Sequence, residues 1–581
     1  MRGEGLIEVT AIGVETEMGK IGKSLEHLET EETNLQRQTK KAVRNIGFLS
    51  IAVCMILVMY FGLLRQEWIE GVLAGLTAGM ALLPEEFPVV MTVFLALGAW
   101  RISKNKVLTR KMSAIEALGS ITTLCVDKTG TLTENKMSVE VVADIKGVEK
   151  TKKMLGRRWS ELLKIAMMAS SSDPFEPMEV AIKSLFEKQK IKFPTNFSLE
   201  RDYSLGKRLT VARGWKEKSG KYLVALKGSP EGVIEKCNLS VKTKEIIFEQ
   251  VEQLAGEGMR VIGVAVAEKL RALPKKKSEI RYRWLGLLGI KDPLREGVVE
   301  ALTVCETAGI KVMMITGDYP STAMKIGRDA GMRVEEKNIL VGDEVEKMTI
   351  ETLKERLCET MICARIRPEQ KLKIVEALKE NGEVVGMTGD GVNDAPALKM
   401  ADVGVSMGKR GTDVAREASD LVLLNDDFGS LVTTVEMGRR IYRNIKKAMM
   451  YLISVHIPIA GITLLPILFG EHMLLLPLHI VLMELIIDPM ASVVFELQSE
   501  KGLMKNKPRR KEESLFGKAE VMRSVGRGLL MLSVSVVVYA LVRDFSLNEE
   551  ILRGSMFGSL VLGNLLLAVW YLREKVRDDR I

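Results

Sequence analysis

The sequence predicts a multidomain membrane protein, in which a polytopic α-helical membrane domain carries an α/β cytoplasmic region. Three observations lead there. Two blocks of long apolar runs bracket a polar middle, basic residues flank the runs on one side, and three strand-like segments of the middle each end in an aspartate beside a Gly/Thr turn. With 581 residues and 47% apolar content, the chain exceeds one domain and mixes membrane and soluble character.

The first block holds apolar runs at about 46–64 and 71–100. The second holds runs near 448–469, 473–495, 528–542 and 554–572, which gives six candidate spans, the fifth short unless its flanks contribute. Arg37, Lys40, Lys41 and Arg44 precede the first span, and Arg101, Lys104, Lys106, Arg110 and Lys111 follow the second. Arg439, Arg440, Arg443, Lys446 and Lys447 precede the third, KGLMKNKPRRK (501–511) follows the fourth, and the loops RQEWIE, GEH and RDFSLNEE are slightly acidic. This asymmetry places both termini and the large middle in the cytoplasm. The same flanks account for much of the net charge of +9, so the partner they predict is a lipid bilayer and not nucleic acid. The six cysteines show no CxxC pair and no zinc spacing, which fits reduced thiols, and the polar first 45 residues carry no secretory signal. The expected location is the cell membrane.

One apolar run contains ALLPEEFPVV, 81–90, with Glu85 and Glu86 between Pro84 and Pro88. A charge near a bilayer centre costs about 2.5–3.5 kcal/mol on insertion scales, so something must offset it. The prolines remove two backbone donors and interrupt the helix, and unwound backbone at that depth is tolerated where it lines a cavity. In HIVLMELIIDPMASVVFE, 479–496, Glu484 and Asp488 stand four residues apart on one helix face. Glu85, Glu484 and Asp488 could together replace the hydration shell of a hard cation. Glu86 could join them, turn to water or be protonated, and the alternative for the whole set is a protonated, hydrogen-bonded cluster. Glu496, near the cytoplasmic end, is expected at the surface.

In the polar middle, ITTLCVDKTGTLTEN (121–135) reads as a buried parallel strand that delivers Asp127 to its C-terminal end, where open α/β sheets place their sites. KVMMITGDYPSTA (311–323) and EVVGMTGDGVNDAPAL (383–398) run likewise from apolar residues into Thr-Gly-Asp. Between them, ARIRPEQKLKIVEAL (364–378) places Lys371 beside an apolar helix face. Asp127 could attack a phosphoryl group if a divalent ion bridging Asp127 and Asp390 neutralised the equatorial oxygens, with Lys371 adding charge and Thr316 and Gly317 donating hydrogen bonds. A lone Thr-Gly-Asp more often fills a turn. Two of them, after a third strand that ends in Asp127, shift the balance toward a site.

With DKTGTLT, KGSPE, DPLR, TGDYPSTA and TGDGVNDAP, the chain resembles the P-type ATPases, most closely the calcium-pump-related transporters of hard cations, from about residue 7 to 572. The resemblance implies a haloacid-dehalogenase-like phosphorylation domain split into 105–141 and 288–425, with an inserted α+β nucleotide-binding domain at 142–287. Residues 46–104 would be the family's spans three and four, 426–581 the stalk and spans five to eight, and 1–45 a remnant of the actuator domain and stalk. ATP and Mg²⁺ are the implied cofactors. Onto the matching motifs it carries a catalytic set of Asp127, Lys128, Thr129, Thr316, Gly317, Asp318, Lys371, Asp390, Asn393 and Asp394, with Mg²⁺ on Asp127, Thr129 and Asp390. Glu179, Tyr203, Lys227, Arg260 and Arg365 fall to the nucleotide, although the GKRL after Tyr203 departs from family spacing and a lysine beside a turn, such as Lys227, is usually solvated. Glu85, Glu484 and Asp488 fall to the transported cation. In the run that would be the family's fifth span, 448–469, His456, Val455 and Ile459 stand where two-ion calcium pumps have oxygen ligands, so one ion site is expected, with His456 as ligand, proton carrier or packed histidine. Calcium is the favoured ion, with manganese, magnesium, sodium and protons open.

GLIEVTAIGVETEMGKIGKSLEHLET (5–30) resembles only the tail of the actuator domain. The first two spans, the loop that positions the hydrolytic water and the last two of ten spans have no counterpart. The expectation is therefore a chain that binds ATP, dephosphorylates slowly and transports poorly by itself, the missing parts coming from a separate polypeptide or lost to a fragmented reading frame. The competing expectation is a catalytically incomplete remnant serving as a subunit or as a nucleotide- or cation-binding membrane protein. A phosphatase of the same superfamily fits less well with Lys128, the insert and the intramembrane carboxylates.

Overall fold

The computed structural model describes residues 34–574 except 152, 175, 204–209, 275–279, 470–472, 499–501, 510–512 and 546–547. The actuator-like segment at 5–30, the GEH loop, GKRL and parts of KGLMKNKPRRK and RDFSLNEE lie outside the described residues.

The three strands that lead into Asp127, Asp318 and Asp390 lie side by side. Among the described residues an eight-stranded sheet runs in the order Val107–Thr109, Leu421–Leu423, Val403–Met407, Val385–Gly389, Thr123–Asp127, Lys311–Ile315, Ile362–Ala364, Ile339–Val341. All neighbours are parallel except the first pair. Helices cover both faces, so the strands are apolar throughout, as TLCV and KVMMI show. Chain order reverses at Thr123–Asp127, which makes its C-terminal end the switch point where ligands bind in such sheets.

Between the first two strands of this sheet and the rest, the chain builds a seven-stranded antiparallel sheet, in the order Gly147–Lys150, Ser138–Asp144, Arg283–Lys291, Arg260–Leu270, Tyr222–Gly228, Thr210–Glu217, Phe197–Tyr203. It carries an apolar core on each face. The sheet begins at Ser138 and ends at Lys291, four residues outside each boundary expected for the insert.

Six helices among the described residues are long and apolar enough to cross a membrane: Leu35–Arg65, Trp68–Lys104, Phe428–Ile467, Pro477–Glu496, Lys518–Asp544 and Glu549–Arg573. They coincide with the six runs of the sequence, the fifth lengthened by its flanks. The second is broken, with one helix ending at Leu82 and the next starting at Glu86, so the Pro84 interruption falls where the sequence placed it. The third begins in the soluble region, capped by Asp427, whose carboxylate accepts from the backbone of Gly429 (3.1 Å) and Ser430 (2.9 Å). It continues to Leu468 over 41 residues, a rod of about 60 Å at 1.5 Å per residue. A Cβ on Gly438 would lie 2.6 Å from that of Leu118, so only glycine lets this rod cross the helix Ser113–Leu118 so closely. One apolar core continues from Phe87 and Tyr451 in the membrane helices, through Ile441 and Phe428, to Leu124 and Val126 in the parallel sheet.

Candidate active site

Asp127 stands at the end of its strand, its backbone N–H donating to Thr388 Oγ1 at 3.0 Å and its Oδ1 accepting from the Thr129 backbone at 3.3 Å. Lys371, on the helix Pro368–Glu380, reaches Asp127 Oδ2 at 2.6 Å and Asp394 Oδ1 at 2.7 Å. Asp394 Oδ2 accepts in turn from the backbone of Gly391 (3.0 Å) and Asp390 (3.3 Å), which fixes the turn that carries it. Gly130 adopts φ +77° and lies so close to Asp390 that a Cβ would sit 3.1 Å from its Oδ2, so a larger residue there would strain the loop and crowd the carboxylates.

Asp127, Asp390 and Asp394 are the only group of three potential metal-ligand side chains among the described residues with one ligand atom each within 4.8 Å of one another. Burial raises the Asp127 carboxyl above its ordinary range, against the pull of the Lys371 ammonium. Burial, reinforced by the charges of Asp127 and Asp394, pushes Asp390 up to about 7. Burial pulls Lys371 down, but the two carboxylates outweigh it and hold the ammonium above its usual value. Three carboxylates facing one ammonium in a partly dry site call for more positive charge, and hard oxygen donors at this spacing fit Mg²⁺. The structure thus adds Asp394 to the expected Asp127 and Asp390, while Thr129 touches Asp127 through its backbone.

On the neighbouring strand end, Lys128 and Asp318 form a buried pair at 2.8 Å, with Arg260 Nε 3.9 Å from the same carboxylate. Burial would raise Asp318, but the Lys128 and Arg260 charges override it and hold the carboxyl below its ordinary value. Thr316 Oγ1 accepts from the Asp318 backbone (3.1 Å), whereas Gly317 is exposed with open space around it. Asn393 is exposed on its turn.

In the insert, Lys227 reaches Glu179 Oε1 at 2.5 Å and Ser170 Oγ at 2.7 Å. Burial lowers the lysine, and Glu179 offsets only part of that. Arg365 reaches Glu231 of the KGSPE turn at 3.3 Å and stacks 3.9 Å from the Tyr319 ring. With Arg260 and Asp318, this ties the edge of the insert to the parallel sheet. Tyr203 does not join the group. It pairs across the sheet with Ala212, and Ala212 with Leu226, the neighbour of Lys227, so period-two alternation puts it on the opposite face from Lys227 and Glu179. There its ring is buried in the core and its hydroxyl donates to the Pro274 carbonyl at 2.8 Å.

In the membrane helices the carboxylates differ from expectation. Glu85 is exposed, and Glu86 is 1% exposed, because the helix restarts at Glu86 and turns that residue inward with Phe87. Glu484 and Asp488 are buried as expected, but a wider π-type turn, Met483–Ile487, replaces regular α-helix between them. His456 Nε2 lies 3.5 Å from Glu86 Oε2, and its Nδ1 bonds the Leu452 carbonyl at 2.8 Å. Asn564, on the last span, donates to Asp488 Oδ1 at 2.9 Å. Both Glu86 oxygens, Glu484 Oε1, Asp488 Oδ2 and Asn564 Oδ1 are buried without a hydrogen-bond partner. Glu496, expected at the surface, is 2% exposed and ion-paired to Arg101.

The haloacid dehalogenase-like hydrolase family matches residues 121–402, and the cation-transporting ATPase C-terminal family matches residues 472–577. A calcium-transporting ATPase of Bacillus cereus is 32% identical over 540 residues, covering 88% of this chain and 60% of that protein. One from Bacillus subtilis is 32% identical over 624 residues, 97% of this chain and 69% of that protein. One from Schizosaccharomyces pombe is 30% identical over 593 residues, 92% of this chain and 64% of that protein. The chain belongs to the P-type cation-transporting ATPases. It spans 60% to 69% of the length of these relatives.

For this P-type ATPase chain, the parallel sheet is the haloacid-dehalogenase-like domain and the spans make it an integral membrane protein. Sequence reasoning missed Asn564 and left open which way Glu86 turns. The first had a legible signal, a lone asparagine in LVLGNLLLAV, since polar side chains in a span are costly and tend to be functional. The second had none.

Proposed function

We propose that this chain carries the phosphorylation and ion-binding machinery of a pump that couples ATP hydrolysis, through an aspartyl-phosphate on Asp127, to movement of one hard cation across the cell membrane. The Lys371 bridge between Asp127 and Asp394 is the observation that carries the reading. It holds the attacking oxygen at the sheet switch point with a fixed positive charge beside it. An Asp127 oxygen attacks the γ-phosphorus, and the bond to the β-bridging oxygen breaks, so ADP departs with that electron pair. Mg²⁺ held by Asp127, Asp390 and Asp394 would neutralise phosphoryl charge. Lys371 stabilises the transferring oxygens, Gly317 offers its exposed N–H, and Arg260, Lys227 and Glu179 receive the nucleotide.

Glu86, Glu484, Asp488 and Asn564 supply the cation ligands, supported by their unsatisfied buried oxygens. Binding a hard ion there offsets the cost of burying the acids. Buried Val455 and Ile459 put no side-chain oxygen at their two positions of the third span, which favours one site. Calcium is the favoured substrate because the relatives are named calcium-transporting. Membranes containing the chain, given γ-labelled ATP and Mg²⁺, should acquire an acid-stable, hydroxylamine-sensitive label that Asp127→Asn abolishes. Equal labelling of Asp127→Asn would exclude the mechanism.

A further inference from the structure

At the end of the membrane bundle nearest the soluble domains, a cavity of about 60 Å³ lies between the third, fifth and sixth spans. Four basic side chains line it, Lys446, Lys447, Arg523 and Arg527, against two acidic ones, Glu520 and Glu574. The acids hold the cations in place: Lys446 reaches Glu520 at 2.7 Å and Arg527 reaches Glu574 at 2.8 Å. Arg527 also stacks 4.5 Å from the Tyr571 ring. Below it the Tyr571 hydroxyl meets Ser454 Oγ at 2.7 Å and Ser524 Oγ at 2.8 Å, so the floor is a closed polar network binding three spans together. The cavity is therefore built, ringed by charged side chains over apolar stems, and positive on balance.

Its surroundings identify the occupant. Arg523 is exposed at the mouth, beside Met522, and the same helix then presents exposed Leu529, Leu530, Val534 and Val537. The helix surface thus passes from cationic to apolar within two turns of the cavity. A free oxyanion would need only the polar part. A molecule with an anionic head and acyl chains uses both.

We propose that this cavity holds the phosphate of an anionic phospholipid, with Arg523 and Lys446 as headgroup contacts and the acyl chains lying along Leu530 and Val534, which share the Arg523 face of the helix. Guanidinium groups match phosphate oxygens in pairs, and basic pockets at the membrane boundary favour anionic lipids. The proposal rests on the helices spanning a bilayer and is independent of the phosphoryl chemistry.

Native mass spectrometry of the full chain, purified in detergent and mixed with phosphatidylglycerol or phosphatidylcholine, tests it. The unaltered chain should retain one phosphatidylglycerol in preference to phosphatidylcholine. Arg523→Gln, at an exposed position, should weaken that retention about fivefold, as expected for one interfacial charge. Arg523→Lys should recover most of it, and Lys104→Gln, on another span, should leave it unchanged. Equal retention by Arg523→Gln and the unaltered chain, equal retention of the two lipids, or displacement of phosphatidylglycerol by millimolar inorganic phosphate would each overturn the proposal, the last by pointing to a soluble oxyanion.

Discussion

Lys371 shares one ammonium between Asp127 and Asp394, so removing it does more than delete a charge. Two buried carboxylates would then face each other without a cation, and the transferring phosphoryl group would lose a fixed donor. Lys371→Ala should slow phosphorylation about 10²–10³-fold, the usual loss for one charge-stabilising donor, measured by rapid-quench labelling. In the insert, Lys227→Ala leaves Glu179 half-buried with no ammonium partner. Breaking such a pair costs about 3–5 kcal/mol when fully buried, so a loss somewhat below that in insert stability should accompany weaker nucleotide binding. Thermal unfolding with and without ATP separates the two effects. The carboxylates that cluster around Lys371 could be picked out because they stand at strand ends or turns, as Asp127 does in DKTG. Tyr203 could not be placed, because its position depended on which sheet face a strand presents, and Glu86 stayed open between three positions because the choice depended on the backbone angles at which a broken helix resumes.

At the scale of elements, the ends of the helices matter more than their middles. Arg101, closing the second span, donates to the Glu496 carbonyl at 3.0 Å and pairs with its carboxylate, while Asn444 of the third span donates to the same carbonyl at 3.3 Å. The helices carrying Glu86 and Glu484 are thereby tied at their soluble-domain ends. Glu496→Ala should destabilise the membrane bundle by less than the ~3–5 kcal/mol of a fully buried pair, because Arg101 is partly exposed and keeps its bond to the backbone carbonyl, and thermal unfolding in detergent checks this. Glu496 was misplaced because sequence shows one helix at a time, and its partners come from two others. The interrupted span, by contrast, could be read directly, since two prolines in PEEFP leave little choice. The π-type turn at Met483–Ile487 carries no sequence signature of its own.

Across the whole molecule, the alternation of apolar block, polar middle and apolar block gave away the architecture, and the three Asp-ending strands gave the sheet in which they meet. What joins them could not be read: a single apolar core running along the 41-residue rod from the sheet to the helices that carry the buried membrane acids. Interiors packed at this density transmit displacement, so a change at Asp127 has a material route to Glu86 and Asp488. The central claim is that ion occupancy among the membrane acids governs phosphorylation of Asp127. Its most direct test is acid-stable labelling from γ-labelled ATP in membranes, titrated with Ca²⁺ for the parent chain and for Glu86→Gln, Glu484→Gln, Asp488→Asn and Glu85→Gln. The account predicts that the first three variants lose or markedly right-shift the Ca²⁺ dependence while Glu85→Gln keeps it. Identical Ca²⁺ dependence in all four variants and the parent would contradict it.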